Sequence, residues 1–325
     1  PRQSPYAESS IWNTALGDQA ALAPVVFRPA ALGIRSEAVV VLLNTAAEVL
    51  SVEHSDAGWS GEDRCPASAP QHFGAHAPGD FLVVEGVGRR GTPIVAIQDD
   101  NRSLKQGLPF VRCTPNAPGT IAFEESASDL YGDGIDGANG GSGLSALGGV
   151  LRLGELLPEA EPPRHVLAVH VWGQENFWDS TSDEECFRWP ASRGDSFCKE
   201  DYGGTQPELR MGALLALPSG SQPPLRTDAA KKLAWTLQNY GAYVVNDAGS
   251  SSYAFNVELS PEGWFSEEFR KAWGFSFETS DLASDWALDL QALFDALSVV
   301  TDNDLRTTGG AGARLQPALS PLAEP

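Results

Sequence analysis

The sequence predicts a mostly β protein, an antiparallel β-sandwich of jelly-roll type with a few helices packed on it in the C-terminal third. Three observations point there. Short β-type runs bounded by Gly, Pro, Asn or Asp recur through the first 260 residues. Hardly any helical period lies between them, which disfavours βαβ units and a parallel sheet. The two clear helical periods come late.

In chain order, the runs are Val39–Leu43, Phe81–Val84, Pro93–Ile97, Thr120–Phe123, Gly149–Leu156, His165–Trp172, Met211–Leu217, Ala242–Asn246 and Tyr253–Val257. The first helix is capped by Thr227 or Asp228 and runs to Tyr240. Ala230, Leu233, Ala234 and Leu237 share one face, and Gly241 marks its stop. The second follows Ser280, with Leu282, Trp286, Leu290, Leu293 and Leu297 on one stripe. Residues 158–164 and 218–224 read as loops. No linker-like stretch exceeds about eight residues before Gly309, so residues 1–308 read as one elaborated domain and 309–325 as a loosely ordered tail.

At 325 residues, 42% hydrophobic and with nine Trp, the chain is too apolar for disorder. No uninterrupted apolar stretch reaches the roughly 18–20 residues of a membrane span. Twenty-two basic residues against 43 acidic ones give a net charge of −21. Such a chain repels nucleic acid and anionic membrane surfaces, and neither is expected as a partner.

The four cysteines contain no Cys-x-x-Cys pair, which argues against a redox motif or a thiolate zinc site. Of three possible connectivities the sequence favours Cys65–Cys113 with Cys186–Cys198. The latter closes a short loop, a bridge contributing about 2–3 kcal/mol in the chain-entropy model. Disulfides imply an oxidising compartment. The opening Pro1-Arg2-Gln3, without Met, reads as a mature form after signal-peptide removal. The expected location is therefore secreted, extracellular or periplasmic.

Four segments occur in a fixed order: Ser10-Ile11-Trp12-Asn13-Thr14; the run from Gly140 to Gly149; Arg164-His165-Val166-Leu167 followed by Arg188-Trp189-Pro190-Ala191; and Leu237 to Asp247. As a set they resemble a group of secreted bacterial proteins of uncharacterised activity, over roughly residues 10 to 310. The resemblance implies secretion and a shared fold, and supplies no activity. Where those proteins read Gly-Ala-His-Gly-Gly-Ser, this chain has Asn139 in place of His.

The stretch Tyr131–Gly143 is unusually glycine-rich, fitting positive φ or a close approach to the main chain. Asp133, Asp136 and Asn139 recur every third residue, in a spacing that could supply oxygen ligands to Ca²⁺. It matches neither an EF-hand nor a phosphate loop. A long ordered turn, a substrate or catalytic loop, and a metal loop all stay open.

Glycoside hydrolysis commonly needs two carboxyl groups about 5–9.5 Å apart. Candidates beside β-runs or unusual loops are Asp99, Asp100, Glu124, Glu125, Asp133, Asp136, Glu155 and Asp247. On an extended 151–155, Glu155 continues the apolar row of Leu151 and Leu153. It would then be a desolvated acid with a raised pKa, or else a structural ion-pair partner of Arg152 or Arg188. His165 shares a face with Leu167 and Val169 and reads as a hydrogen-bonded core histidine. His170 shares a face with Trp172, suggesting a polar-aromatic surface. Trp12, Trp59, Trp172, Trp178 and Trp189 lie in polar loop-like segments and are candidate sugar-stacking rings, whereas Trp264, Trp273 and Trp286 fit core packing.

Together these give the expected function: a secreted glycoside hydrolase acting on a polysaccharide. Asp133, Asp136, Glu155, Asp247 and His165 are the catalytic candidates. Trp12, Asn139, Arg152, His170, Trp172, Trp189 and Tyr202 are the substrate-binding ones. The nearest alternative is a polysaccharide lyase using Arg152, His165, Tyr202 and Ca²⁺ at Asp133 and Asp136. The strongly negative charge tips the balance toward a neutral glycan. The non-catalytic alternative is an extracellular glycan-binding module.

Overall fold

A computed structural model describes residues 4–59, 63–84 and 91–319. Its strands are β1 (Leu22–Pro24), β2 (Ile34–Leu42), β3 (Val49–His54), β4 (Ala69–His76), β5 (Ile94–Ile97), β6 (Ser103–Leu108), β7 (Gly119–Ile121), β8 (Phe123–Glu124), β9 (Ser128–Asp129), β10 (Leu167–Val171), β11 (Leu214–Ala216), β12 (Ala242–Asp247), β13 (Tyr253–Ser260), β14 (Gly263–Trp264) and β15 (Ser298–Val300). The helices are α1 (Gly173–Asn176), α2 (Cys198–Asp201), α3 (Asp228–Asn239), α4 (Phe265–Trp273) and α5 (Asp285–Asp295).

Strands dominate, as expected, but the sheets are mixed rather than antiparallel. The large sheet runs β1-β15-β11-β12-β10-β13-β2-β5-β6-β8, with β14 on β13 and β9 on β6; a smaller sheet runs β4-β3-β7. The pairs β10/β12, β13/β2, β2/β5 and β3/β7 are parallel. Parallel neighbours need a long crossover. β10 reaches β12 through residues 172–241, which include two four-residue helices, β11 and, just before β12, α3. Among the described residues no helix lies between β2 and β5 or between β3 and β7, so no helical period marks those parallel pairs in the sequence.

The centre of the large sheet is covered on both faces. On one face, Leu167, Val169 and Val171 of β10 and Ala242 and Val244 of β12 pack beneath α3, α4 and α5. The small sheet covers the same face further along, where Val40 and Leu42 of β2 meet Val52 and Phe73. On the other face, Val39, Val41, Ala168, Tyr243 and Val245 pack under coil, chiefly residues 6–16 and 130–150. Trp12 lies there edge-on to Tyr243, 5.5 Å between centroids.

That coil cover explains the glycines. A Cβ on Gly148 would stand 2.0 Å from Cε2 of Trp12, so the loop reaches the indole only without a side chain. α3 begins where expected, with Thr227 Oγ1 accepting from the Ala230 amide at 3.3 Å. α5 starts at its Ser284 cap, later than Ser280 suggested. The Gly149–Leu156 run does not form a strand; within it Leu151 makes a single bridge, to Val257. Phe81–Val84 contributes only a bridge at Val83.

Both expected disulfides are present, Cys65–Cys113 and Cys186–Cys198. Where a loose tail was expected, residues 309–316 are tied down: the Leu315 amide donates to Leu16 O, the Ala313 amide to Asp18, and Gln316 to Asn239. Pro1, Arg2, Gln3 and residues 320–325 lie outside the described residues.

Candidate functional site

The glycine-rich segment is pinned to the sheet by three buried or half-buried amides. Gln106 of β6 accepts from the amides of Ala138 and Ala146 at 3.2 and 2.9 Å. Asn256 of β13 donates to Asn139 Oδ1 at 3.2 Å, and Asn139 donates to Ser145 O. Asn246 of β12 accepts from the Gly141 amide at 2.5 Å. His170 completes this network, with Nε2 2.7 Å from Asn256 Oδ1. Burial pushes its pKa down to about 4, partly offset by that bond, so it is a neutral donor in the core.

Gly141 is the floor of a niche at the carboxyl ends of β10 and β12. A Cβ there would meet Met211, Asn246 Oδ1 at 2.9 Å and Asp195 Oδ1 at 3.2 Å. The other oxygen of Asp195 accepts from Tyr202 Oη at 2.6 Å. Burial raises the Asp195 pKa to about 6. The Tyr202 hydrogen bond opposes the rise and the nearby Asp247 charge adds to it. Asp247 is also raised, first by burial, while the amides of Gly173 (2.7 Å) and Gly249 (3.1 Å) donate to its Oδ1 and favour its ionised form. Two half-buried carboxyl groups with raised pKa values thus lie in one niche, one carrying a hydroxyl donor and the other backbone donors.

Beside the niche, Arg193 donates to Gly140 O at 3.1 Å and to Glu125 at 2.6 Å. The Cβ position of Gly140 lies 3.4 Å from Trp59. Trp59 and Phe123 are 44% and 46% exposed and stacked, centroids 6.0 Å apart. Phe197, also exposed, stands edge-on to Tyr202.

The remaining candidates fall elsewhere. Arg152, Glu155, His165 and Trp12 border a cavity of about 460 Å³ at the opposite end of β10. Glu155 sits in a turn rather than on a strand, its amide bonded to Arg152 O. Its carboxylate is 3.2 Å from His165 Nε2 and accepts from the Arg152 amide at 2.7 Å. Burial alone would raise Glu155, but the facing His165 outweighs it and holds the acid below its usual value: of the two expectations, the raised acid does not hold and the ion pair does, with His165 in place of Arg152 or Arg188. His165, which burial alone would lower, is raised by the Glu155 charge and hydrogen bond. The Arg152 guanidinium is engaged by Glu258 at 2.7 Å.

Asp133 and Asp136 are exposed, while Asn139 is buried with its amide engaged in the network above. The three therefore do not converge as a Ca²⁺ cage. Among the described residues no group of three or more His, Cys, Asp or Glu side chains could hold a metal ion. Trp12 is buried in the core, and Trp172 and Trp189 are half-buried. Tyr202 joins Asp247 in the niche. Sequence reasoning missed Asp195, Asn246 and Gly141. The usable signal was position, since Asp195 stands inside the short loop closed by Cys186 and Cys198.

No family model matches the chain, and neither a curated protein nor a solved structure does.

Proposed function

We propose that the chain is a carbohydrate-active enzyme, a glycoside hydrolase cleaving a polysaccharide outside the cytoplasm with Asp195 and Asp247 as its carboxyl pair. The observation that carries the reading is the half-buried Asp195 carboxyl, pushed up to about 6 by burial and by the nearby charge of Asp247, an acid whose own pKa is raised. A general acid works best when its pKa lies near the operating pH. Asp195, protonated and oriented by Tyr202, donates to the leaving oxygen. Asp247, whose Oδ1 accepts from the Gly173 and Gly249 amides, acts in its ionised form as base or nucleophile.

The Glu155–His165 pair is less suited to proton transfer, because each partner stabilises the charged form of the other. Exposed Trp59 and Phe123 beside Gly140 offer a face on which a sugar ring can stack. The two disulfides favour an oxidising compartment. Among the described residues no helix is long and apolar enough to cross a membrane. The elimination alternative gains no support, since Arg152 and His165 lie at the far end of β10 from Tyr202.

The test is incubation with a panel of neutral and uronate-containing polysaccharides, following reducing ends and the absorbance of unsaturated uronate. Reducing ends without that absorbance are expected. Asp195→Asn and Asp247→Asn should each lower turnover by about 10²–10⁴-fold while retaining glycan binding. Unsaturated uronate would establish a lyase, and binding without any turnover a non-catalytic module.

A further inference from the structure

The cavity at the amino-terminal end of β10 carries a charge pattern that the proposed reaction does not use. Both ring nitrogens of His165 face acceptors, Val166 O at 2.9 Å and Glu155 Oε2 at 3.2 Å. A ring between two acceptors carries two protons, so His165 is an imidazolium. Its charge is met by Glu155, and that of Arg152 by Glu258. Arg164 borders the same cavity, and among the described residues it has no ion-pair partner. Its Nε is buried without a hydrogen-bond partner. The one other carboxylate on the lining, Glu161, is exposed. The rest of the wall includes Leu147, Val150 and Leu153.

Of the three basic side chains on the lining, Arg164 is thus the one whose charge no carboxylate among the described residues meets. A planar oxyanion is the group that a guanidinium fork matches best. We infer that this cavity is a binding site for a small organic carboxylate, its acid group held by Arg164 and its ring or apolar body seated against Leu147, Val150 and Leu153. At about 460 Å³ the space is in the range of small-molecule sites. The inference does not depend on the proposed hydrolysis, because the carboxyl niche lies at the other end of β10.

Calorimetric titration of the whole protein with glucuronate and with benzoate, each against its uncharged counterpart glucose or benzyl alcohol, tests it. At least one acid is expected to bind about tenfold or more tightly than its neutral counterpart. A preference for glucuronate makes the ligand a sugar acid, and one for benzoate an aromatic acid. Arg164→Gln should weaken the preferred acid about tenfold or more, with Arg164→Lys intermediate and polysaccharide turnover unchanged in both. Failure of every acid to outbind its neutral counterpart overturns the site. So does full affinity in a folded Arg164→Gln protein. The wild-type comparison decides the question even if a variant does not fold.

Discussion

The Tyr202 hydroxyl donates a 2.6 Å hydrogen bond to Asp195, joining two residues of the segment that follows Cys186. The bond favours the ionised carboxyl, yet burial prevails and the acid sits near 6. Tyr202→Phe removes the opposing influence, so the Asp195 pKa should rise further, by up to about one unit. The limb of the pH–rate profile that reports this acid should move upward by the same amount. An unmoved limb would separate Asp195 from catalysis.

Asp195 also sets a pH dependence of stability. Its folded pKa is raised above the unfolded value of about 3.9. Below about pH 4 both states are protonated and the group has no effect. Between about pH 4 and 6 the unfolded chain ionises first, so the fold loses stability, and above 6 the full penalty of about 1–3 kcal/mol persists. Asp195→Asn should therefore raise the melting temperature at pH 7–8 and leave it unchanged near pH 4, while lowering turnover by about 10²–10⁴-fold. Equal shifts at both pH values would contradict the burial argument.

Glu155 and His165 make the opposite contribution. Stability from the lowered Glu155 is present above its unfolded pKa and lost as pH falls through the folded one. Stability from the raised His165 is present below its unfolded pKa and lost as pH rises through the folded one. The pair is strongest between about pH 4.5 and 6.5. Glu155→Gln should cost about 1–4 kcal/mol in that window. It should also drop the His165 pKa below its ordinary value, since burial then acts without its counter-charge; an NMR titration of the imidazole reads this directly.

Gly148→Ala places a methyl 2.0 Å from the Trp12 ring. Neither neighbour has room to give, since the indole is 1% exposed and its Nε1 donates to Gly134 O at 2.7 Å. A loss of about 2–4 kcal/mol is expected in chemical denaturation. A change below about 0.5 kcal/mol would mean that the loop is free to lift.

The Cys186–Cys198 bridge closes the loop carrying Arg193 and Asp195, and a Cβ on Gly194 would stand 2.8 Å from that of Cys186. Replacing both cysteines by Ser should cost about 2–3 kcal/mol. Turnover should fall by more than the unfolded fraction accounts for, because Asp195 loses its support. Turnover that merely tracks the folded fraction would make the bridge purely structural.

Strong local signals were legible in the sequence. The largely apolar runs at 165–172 and 242–246 became β10 and β12, and the Thr227 cap with its Leu233–Leu237 stripe became α3. β3 and β4 escaped notice because Val49–His54 and Ala69–His76 are interrupted by Glu, His, Gln and Pro70. α4 spans only nine residues, too short for its Phe265–Phe269 repeat to stand out. Asp247 and Tyr202 were found, but Asp195 was not, because its perturbation arises from a tertiary encounter with Tyr202 and Gly141. Parity along an assumed strand identified Glu155 as buried and left a raised acid or an ion pair with Arg152 or Arg188 open; the segment is a turn, and the ion pair it forms is with His165.

Ser4 and Leu319 border the same hollow beneath His165. A guest lodged there would be gripped by the earliest and the latest stretches of the described fold at once. Its residence would tie together two stretches more than 300 residues apart in sequence, a clasp closed by a small molecule instead of a covalent bond.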